Sequence, residues 1–252
     1  MSAQESDFVA IRFGLGPARP GEDWTPDGMA AMISGLSANQ RLTLPPSAER
    51  LLEGIRLSKG RREKNATDRK AAQEAYGSYT NGAYRSDVHQ RILWAVNTPV
   101  PFAERLLAFW SNHFTVTRRK VQLRALVGPY EAEAILPNIG GRFADLLKAA
   151  VKHQAMLIYL DQSNSIGPNS PAGKRRKAGL NENLAREILE LHTLGVHGGY
   201  TQADVTEFAK LMTGWGIDRN AGTADYRRQT AEPGSKTILG QSFGGARPEA
   251  GD

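Results

Sequence analysis

Apolar residues recur three and four apart along most of this 252-residue chain, a spacing that predicts helices with one inward face. Leu51, Leu52 and Ile55 predict a packed helix early in the stretch 47–76. Its second half is highly charged with almost no large apolar residue, and reads as a solvated helix or a mobile segment. "SDVHQRILWAV" opens with Ser86 as a cap and carries Val88, Ile92 and Val96 four apart, an expected inward stripe. After a Pro-marked break, Phe102, Leu106, Phe109 and His113 fall on one helical side, so two tightly joined core helices are expected. Helical spacing resumes from Val121 to Leu136 and stops at Pro137, Gly140 and Gly141. Phe143, Leu146, Leu147 and Ala150 predict a further helix, and "AMLIYLD" is a short apolar run read as buried helix rather than strand.

Punctuation separates these segments. "RFGLGPARPGE" (Arg12 to Glu22) is dense in Gly and Pro and predicts a structured turn. Its Gly14-Leu15-Gly16 is not a dinucleotide loop, because Pro17 follows, the third Gly is misplaced and no β-rich run precedes it. Gln162 to Gly179 reads as a loop ending in a basic run. "TQAD" (Thr201 to Asp204) looks like a capping box for a helix that buries Val205, Phe208, Ala209 and Met212, and "TGWGI" stops it. With no solenoid repeat and no sustained strand alternation, the expected fold is mainly α: an irregular multi-helix single domain with long loops and a poorly structured C-terminal tail. The helical domain is placed at residues 1–218 and the loop-rich tail at 219–252.

Composition narrows the functional classes. A chain of this length can bury about 70% of its unfolded surface. Its 40% hydrophobic and 23% charged content suits a soluble globular protein rather than a disordered one. The net charge of +6 and pI near 9.6 favour acidic partners or anionic surfaces. Basic runs at Arg118–Lys120, Lys174–Lys177 and around residues 59–70 raise nucleic-acid binding, but they are scattered, interleaved with acids and without a recognised motif, so that reading is disfavoured. The absence of Cys excludes disulfides, thiolate metal sites and a cysteine nucleophile. The N-terminus has no secretory pattern and no stretch reaches membrane-span length, so a cytoplasmic location and no membrane partner are expected.

The densest polar chemistry lies in "NENLAREILELHTLG" (Asn181 to Gly195). On a wheel of about 100° per residue, Leu184, Ile188 and Leu191 define the buried stripe, while Asn183, Arg186, Glu187 and Glu190 share a second sector with Glu187 nearest the apolar boundary. Glu182, Arg186 and Glu190 are spaced four apart, so Arg186 can pair with either acid across a solvated face. Alternatively, Glu187 and Glu190 form an acid/base pair or hold a hard cation. His192 lies about 140° from Glu187 on the same wheel, so a metal would need ligands from elsewhere, with His113 and Asp161 as candidates. The plainer alternatives are a helix-end histidine bonded to backbone for His113, and a residue that caps or terminates its segment for Asp161.

Five motifs occur in order: "RFGLGPARPGE", "ERLLAFWSNHFTV", "AMLIYLDQSNS", the stretch Asn181 to Ile217, and "KTILGQ". Together they closely resemble the bacterial domain-of-unknown-function 1800 family over nearly the whole chain. The resemblance implies a mostly helical protein with Asn112, His113, Asn181, Glu182, Asn183, Arg186 and Glu187 inside its signature motifs, and assigns them no roles. Members of the family typically run further, so this chain resembles a fragment, a shortened relative or a frameshift product. Two functions follow as expectations. One is an enzyme whose pocket joins Glu187, Glu190 and Arg186 to His113 and Asn112, with a divalent metal as candidate cofactor at Glu187, His113 and Asp161. The other is a noncatalytic binding or assembly protein, partnered by another protein or by a second copy, whose polar motif is structural.

Overall fold

Capping chemistry opens a helix that the apolar pattern does not announce. Ser2 accepts from the Glu5 amide while the Glu5 carboxylate accepts from the Ser2 amide at 2.7 Å, and helix α1 runs Ala3–Phe13. The computed structural model describes residues 2–36, 42–60, 65–176 and 179–244. Past α1 the Gly- and Pro-rich segment is the expected turn, closed on the buried Trp24. Helix α2 (Pro26–Gly35) begins with Thr25 as its cap.

Helix α3 (Ser47–Lys59) packs against α4, a 32-residue helix spanning Ala66–Asn97. The charged half of the early stretch is therefore helical from Ala66 onward, while residues 61–64 lie outside the described residues. Ser86 sits inside α4 and caps nothing. The stripe expected from Val88, Ile92 and Val96 is corrected: these residues are 38%, 56% and 58% exposed, and α4 instead buries Tyr76, Thr80, Ala83 and Asp87. The inward face carries paired charges, with Asp87 Oδ2 left without a partner among the described residues. Arg50 of α3 donates to Asp87 at 2.7 Å in a buried ion pair, and Arg91 bridges Glu104 and Glu131. Helix α5 (Pro101–His113) follows after the short break and buries Ala103, Glu104 and Leu107, with Phe102, Leu106 and His113 half-buried. Phe109, expected inside, is 58% exposed.

The centre of the molecule is continuous and apolar. Leu107, Phe114, Leu126, Tyr130, Ile135, Leu146, Met156, Leu157 and Leu184 are all essentially inaccessible to solvent. The expected helix over Val121–Leu136 is broken into short turns around α6 (Val127–Tyr130) and a π turn at Glu131–Ile135. Helix α7 (Phe143–Lys152) buries Leu146, Ala150 and Val151 but leaves Phe143 43% exposed. The run "AMLIYLD" is helix α8 (Gln154–Tyr159), capped by the His153 ring, which accepts from the Ala155 amide at 3.1 Å. The loop that follows contains a short helix α9 (Pro171–Arg176).

Helix α10 (Asn183–Glu187) continues into a π turn at Ile188–Thr193, and α11 (Gln202–Met212) begins with the expected capping box. Strand β1 (Trp215–Asp218) pairs antiparallel with β2 (Thr223–Tyr226), and β3 (Lys236–Ile238) with β4 (Gln241–Phe243). Isolated two-stranded ribbons are marginal in water, so these depend on the helices. The Leu239-Gly240 turn has φ of 50° and 76°, as a two-residue hairpin loop requires, and the Asp204 carboxylate at the start of α11 holds the Leu239 amide at 2.7 Å. Buried Lys236 donates to the carbonyls of Glu232, Pro233 and Gly234. The chain beyond β1 is thus short on independent structure but tied to α11, and residues 245–252 lie outside the described residues. No described helix is long and apolar enough to cross a membrane.

Candidate functional site

The polar helix starts from Asn181, whose side-chain oxygen accepts from the Asn183 amide at 2.9 Å. The Asn181 amide in turn donates to Ser165 Oγ, and its Nδ2 reaches the carbonyls of Leu160 and Asp161. Asn183 itself is exposed. Glu182 then forms the centre of a clamp onto α11. One carboxylate oxygen accepts from Arg186 at 3.2 Å and Gln202 at 2.9 Å, and the other from Thr206 Oγ1 at 2.7 Å. The Thr206 hydroxyl bond is the largest influence holding the Glu182 carboxyl below the usual range. Arg186 spans the ladder, reaching Glu190 at 3.3 Å and the Gln202 side-chain oxygen at 2.8 Å. The four-residue spacing thus brings together the residues expected to pair, and α11 adds two that carried no signal in sequence: Gln202 and Thr206.

Glu187 stands apart from this ladder. It is half-buried, and burial first, the Glu190 charge second, push its carboxyl above the usual range. Glu190 is thus near enough for its charge to act on Glu187.

The buried stripe differs from the wheel. Leu184 and Ile188 are inside, but Leu191 is 56% exposed, whereas Leu189 and His192 are buried. The cause is the π turn: the Leu194 amide bonds back five residues to the Leu189 carbonyl at 3.0 Å, so each residue advances by a smaller angle than in an α-helix. His192 rotates inward and Leu191 outward. His113, the last residue of α5, donates from Nε2 to the His192 carbonyl at 3.1 Å, closing the end of the π turn. The two imidazole centroids lie 6.0 Å apart within a cluster of Trp110, Phe114 and Phe143. His192 Nδ1 is buried without a partner, and burial, with His113 alongside, depresses its pKa to about 4.

The remaining candidates are elsewhere. Asn112 is exposed on α5. Asp161 adopts φ of 58° after α8 and pairs with Lys120 Nζ at 2.7 Å. Lys120 also donates to the carbonyls of Ile158 and Tyr159, and Arg118 lies over the Tyr84 ring, so part of the Arg118–Lys120 run is spent on the fold. Of the other basic runs, Lys177 and residues 61–64 lie outside the described residues. Among the described residues, no group of three or more His, Asp or Glu side chains is placed to hold a metal ion, so Glu187, His113 and Asp161 do not form a common ligand set.

The structure is a mainly helical body with a charged clamp between α10 and α11 and a hairpin turned by Leu239-Gly240. The chain belongs to the family described as "Protein of unknown function (DUF1800)", whose model matches residues 9–252. No curated protein and no solved structure matches the chain.

Proposed function

We propose that this chain is a noncatalytic helical binding or assembly protein in which the Asn181–Glu190 helix is a structural clamp. The observation that carries this reading is Glu182, whose two oxygens accept from Arg186, Gln202 and Thr206 and leave little capacity for a substrate or an ion. Arg186 is shared between two acids and Gln202 in the same way. A polar network whose members satisfy one another fixes the angle between helices.

One observation favours an enzyme instead: Glu187, a half-buried carboxyl with a raised pKa beside Glu190, has the character of an acid/base group. Calorimetric titration with Mn²⁺ and Zn²⁺, on the wild type, Glu187→Gln and His113→Ala, separates the two. The structural reading expects no saturable uptake, and a Glu187→Gln protein that melts at or above the wild type because an ionised group disfavoured by burial has been removed. Saturable uptake by the wild type, lost in both folded variants, would return this helix to metal-assisted catalysis.

A further inference from the structure

A second candidate site lies away from the polar helix. A cleft of about 800 Å³ lies between α3 and α4 on one side and the β1–β2 hairpin on the other, with the end of α8 as its floor. That volume suits a small organic ligand. We propose that this cleft binds a small organic phosphate, with Arg219 and Arg227 of the hairpin holding the phosphate and the α3–α4 wall holding the organic body.

The charges along the lining decide the sign of the ligand. Arg50 is neutralised by buried Asp87, Asp161, the single acid of the lining, is neutralised by Lys120, and Arg69 of α4 is a further arginine of the lining. Arg219 and Arg227 form no ion pair among the described residues. Arg227 spends one nitrogen on the Ser163 carbonyl at 3.3 Å, and its Nε is buried with no partner. An unsatisfied buried guanidinium donor is costly unless an acceptor arrives.

The backbone keeps this arginine in place. A Cβ on Gly216 would stand 1.8 Å from Arg227 Nη2, so the guanidinium lies across a glycine of β1 with no side chain to displace it. Gly222, at φ of 72°, brings the β1–β2 turn close to the Ala48 carbonyl of α3 and fixes the hairpin over the cleft. Two forked cations without a competing acid match a dianionic phosphate monoester better than a monoanionic carboxylate. Opposite them, Leu51 and Ile55 offer apolar surface beside the rings of Tyr76 and Tyr79, which suits a flat apolar group.

The site stands independently of the role given to the polar helix, and its test does not involve that helix. Phenyl phosphate, inorganic phosphate and benzoate are titrated calorimetrically into the full chain at low salt, then into Arg219→Gln and Arg227→Gln. Phenyl phosphate should saturate at one molecule per chain, bind more tightly than either partial probe, and weaken about tenfold or more in each variant. Arg219 is exposed, so Arg219→Gln keeps the test informative should Arg227→Gln fail to fold. No saturable binding of phenyl phosphate to the wild type, unchanged affinity in Arg219→Gln, or benzoate binding as tightly as phenyl phosphate would overturn the proposal.

Discussion

The helix running through Asn181–Thr193 and the cleft beneath the β1–β2 hairpin are both rich in charge, yet they spend it differently. In the helix, the charged ladder of Glu182, Arg186 and Glu190 is paired within itself and with Gln202 and Thr206 of α11, and only Glu187 and the buried His192 ring stand outside it. In the cleft, Arg227 keeps a buried donor unmet and Arg219 stands without an acid among the described residues. A dense charged motif is therefore weak grounds for a reactive site when its spacing lets it satisfy itself, and a sparse set of side chains is stronger grounds when something is left over. Substitutions in the helix should cost stability, and substitutions in the cleft should cost binding.

The largest effect belongs to the buried end of the helix. His192 titrates near 4 in the folded chain against an ordinary 6.5, so between those values the unfolded chain binds the extra proton and the folded chain does not. Its contribution is complete above about pH 6.5 and is lost as pH falls toward 4, amounting to up to about 3 kcal/mol. Denaturant unfolding at stepped pH should show this fall, and His192→Phe, which suits the aromatic surroundings, should flatten it. A wild type whose stability is level across that window would mean that the ring is hydrated or finds a partner when protonated.

Next comes the clamp. Glu182→Ala removes the acceptor shared by Arg186, Gln202 and Thr206, and because the carboxylate is partly solvated the expected loss is about 1–2 kcal/mol. Its pH signature is separable from that of His192. The folded carboxyl lies below the ordinary glutamate value of 4.5, so its contribution is present above that pH and is lost as pH falls further. If the variant melts with the wild type, the clamp is a surface ornament and the structural reading of the motif loses its support.

These two expectations also mark what the sequence carried. Local rules were legible: the Thr201 and Asp204 box opens α11, and Arg186 reaches both acids four residues away. Rules that equate apolar with inward failed where distant partners intervened. Arg50 and Asp87 are 37 residues apart, and their buried pair lies on the polar side of α4 while Val88, Ile92 and Val96 stay outside. The wheel failed at Leu191 and His192 because it assumes a constant step, which the π turn breaks without a residue pattern that announces it. The cleft was illegible for a third reason: its residues are drawn from positions between Arg50 and Thr230, and no segment contains enough of them to form a motif.

The smallest effect on stability, and the sharpest on the contrast between the two regions, should come from Gly216→Ala. Gly216 lies within β1, where alanine meets no backbone strain, and the atoms a Cβ would strike all belong to the Arg227 guanidinium. The tip of a long side chain can swing away, so the fold should lose less than about 1 kcal/mol, roughly the worth of the bond to Ser163. Swinging away also takes the guanidinium out of its place across Gly216 in the cleft lining. Affinity for phenyl phosphate should therefore fall as it does in Arg227→Gln although the arginine is still present. Thermal melting and calorimetry on the same sample decide the matter. A large melting shift with unchanged affinity would make Arg227 a strut of the hairpin; an unshifted melt with weakened binding would make it the group that Gly216 holds in place for the ligand.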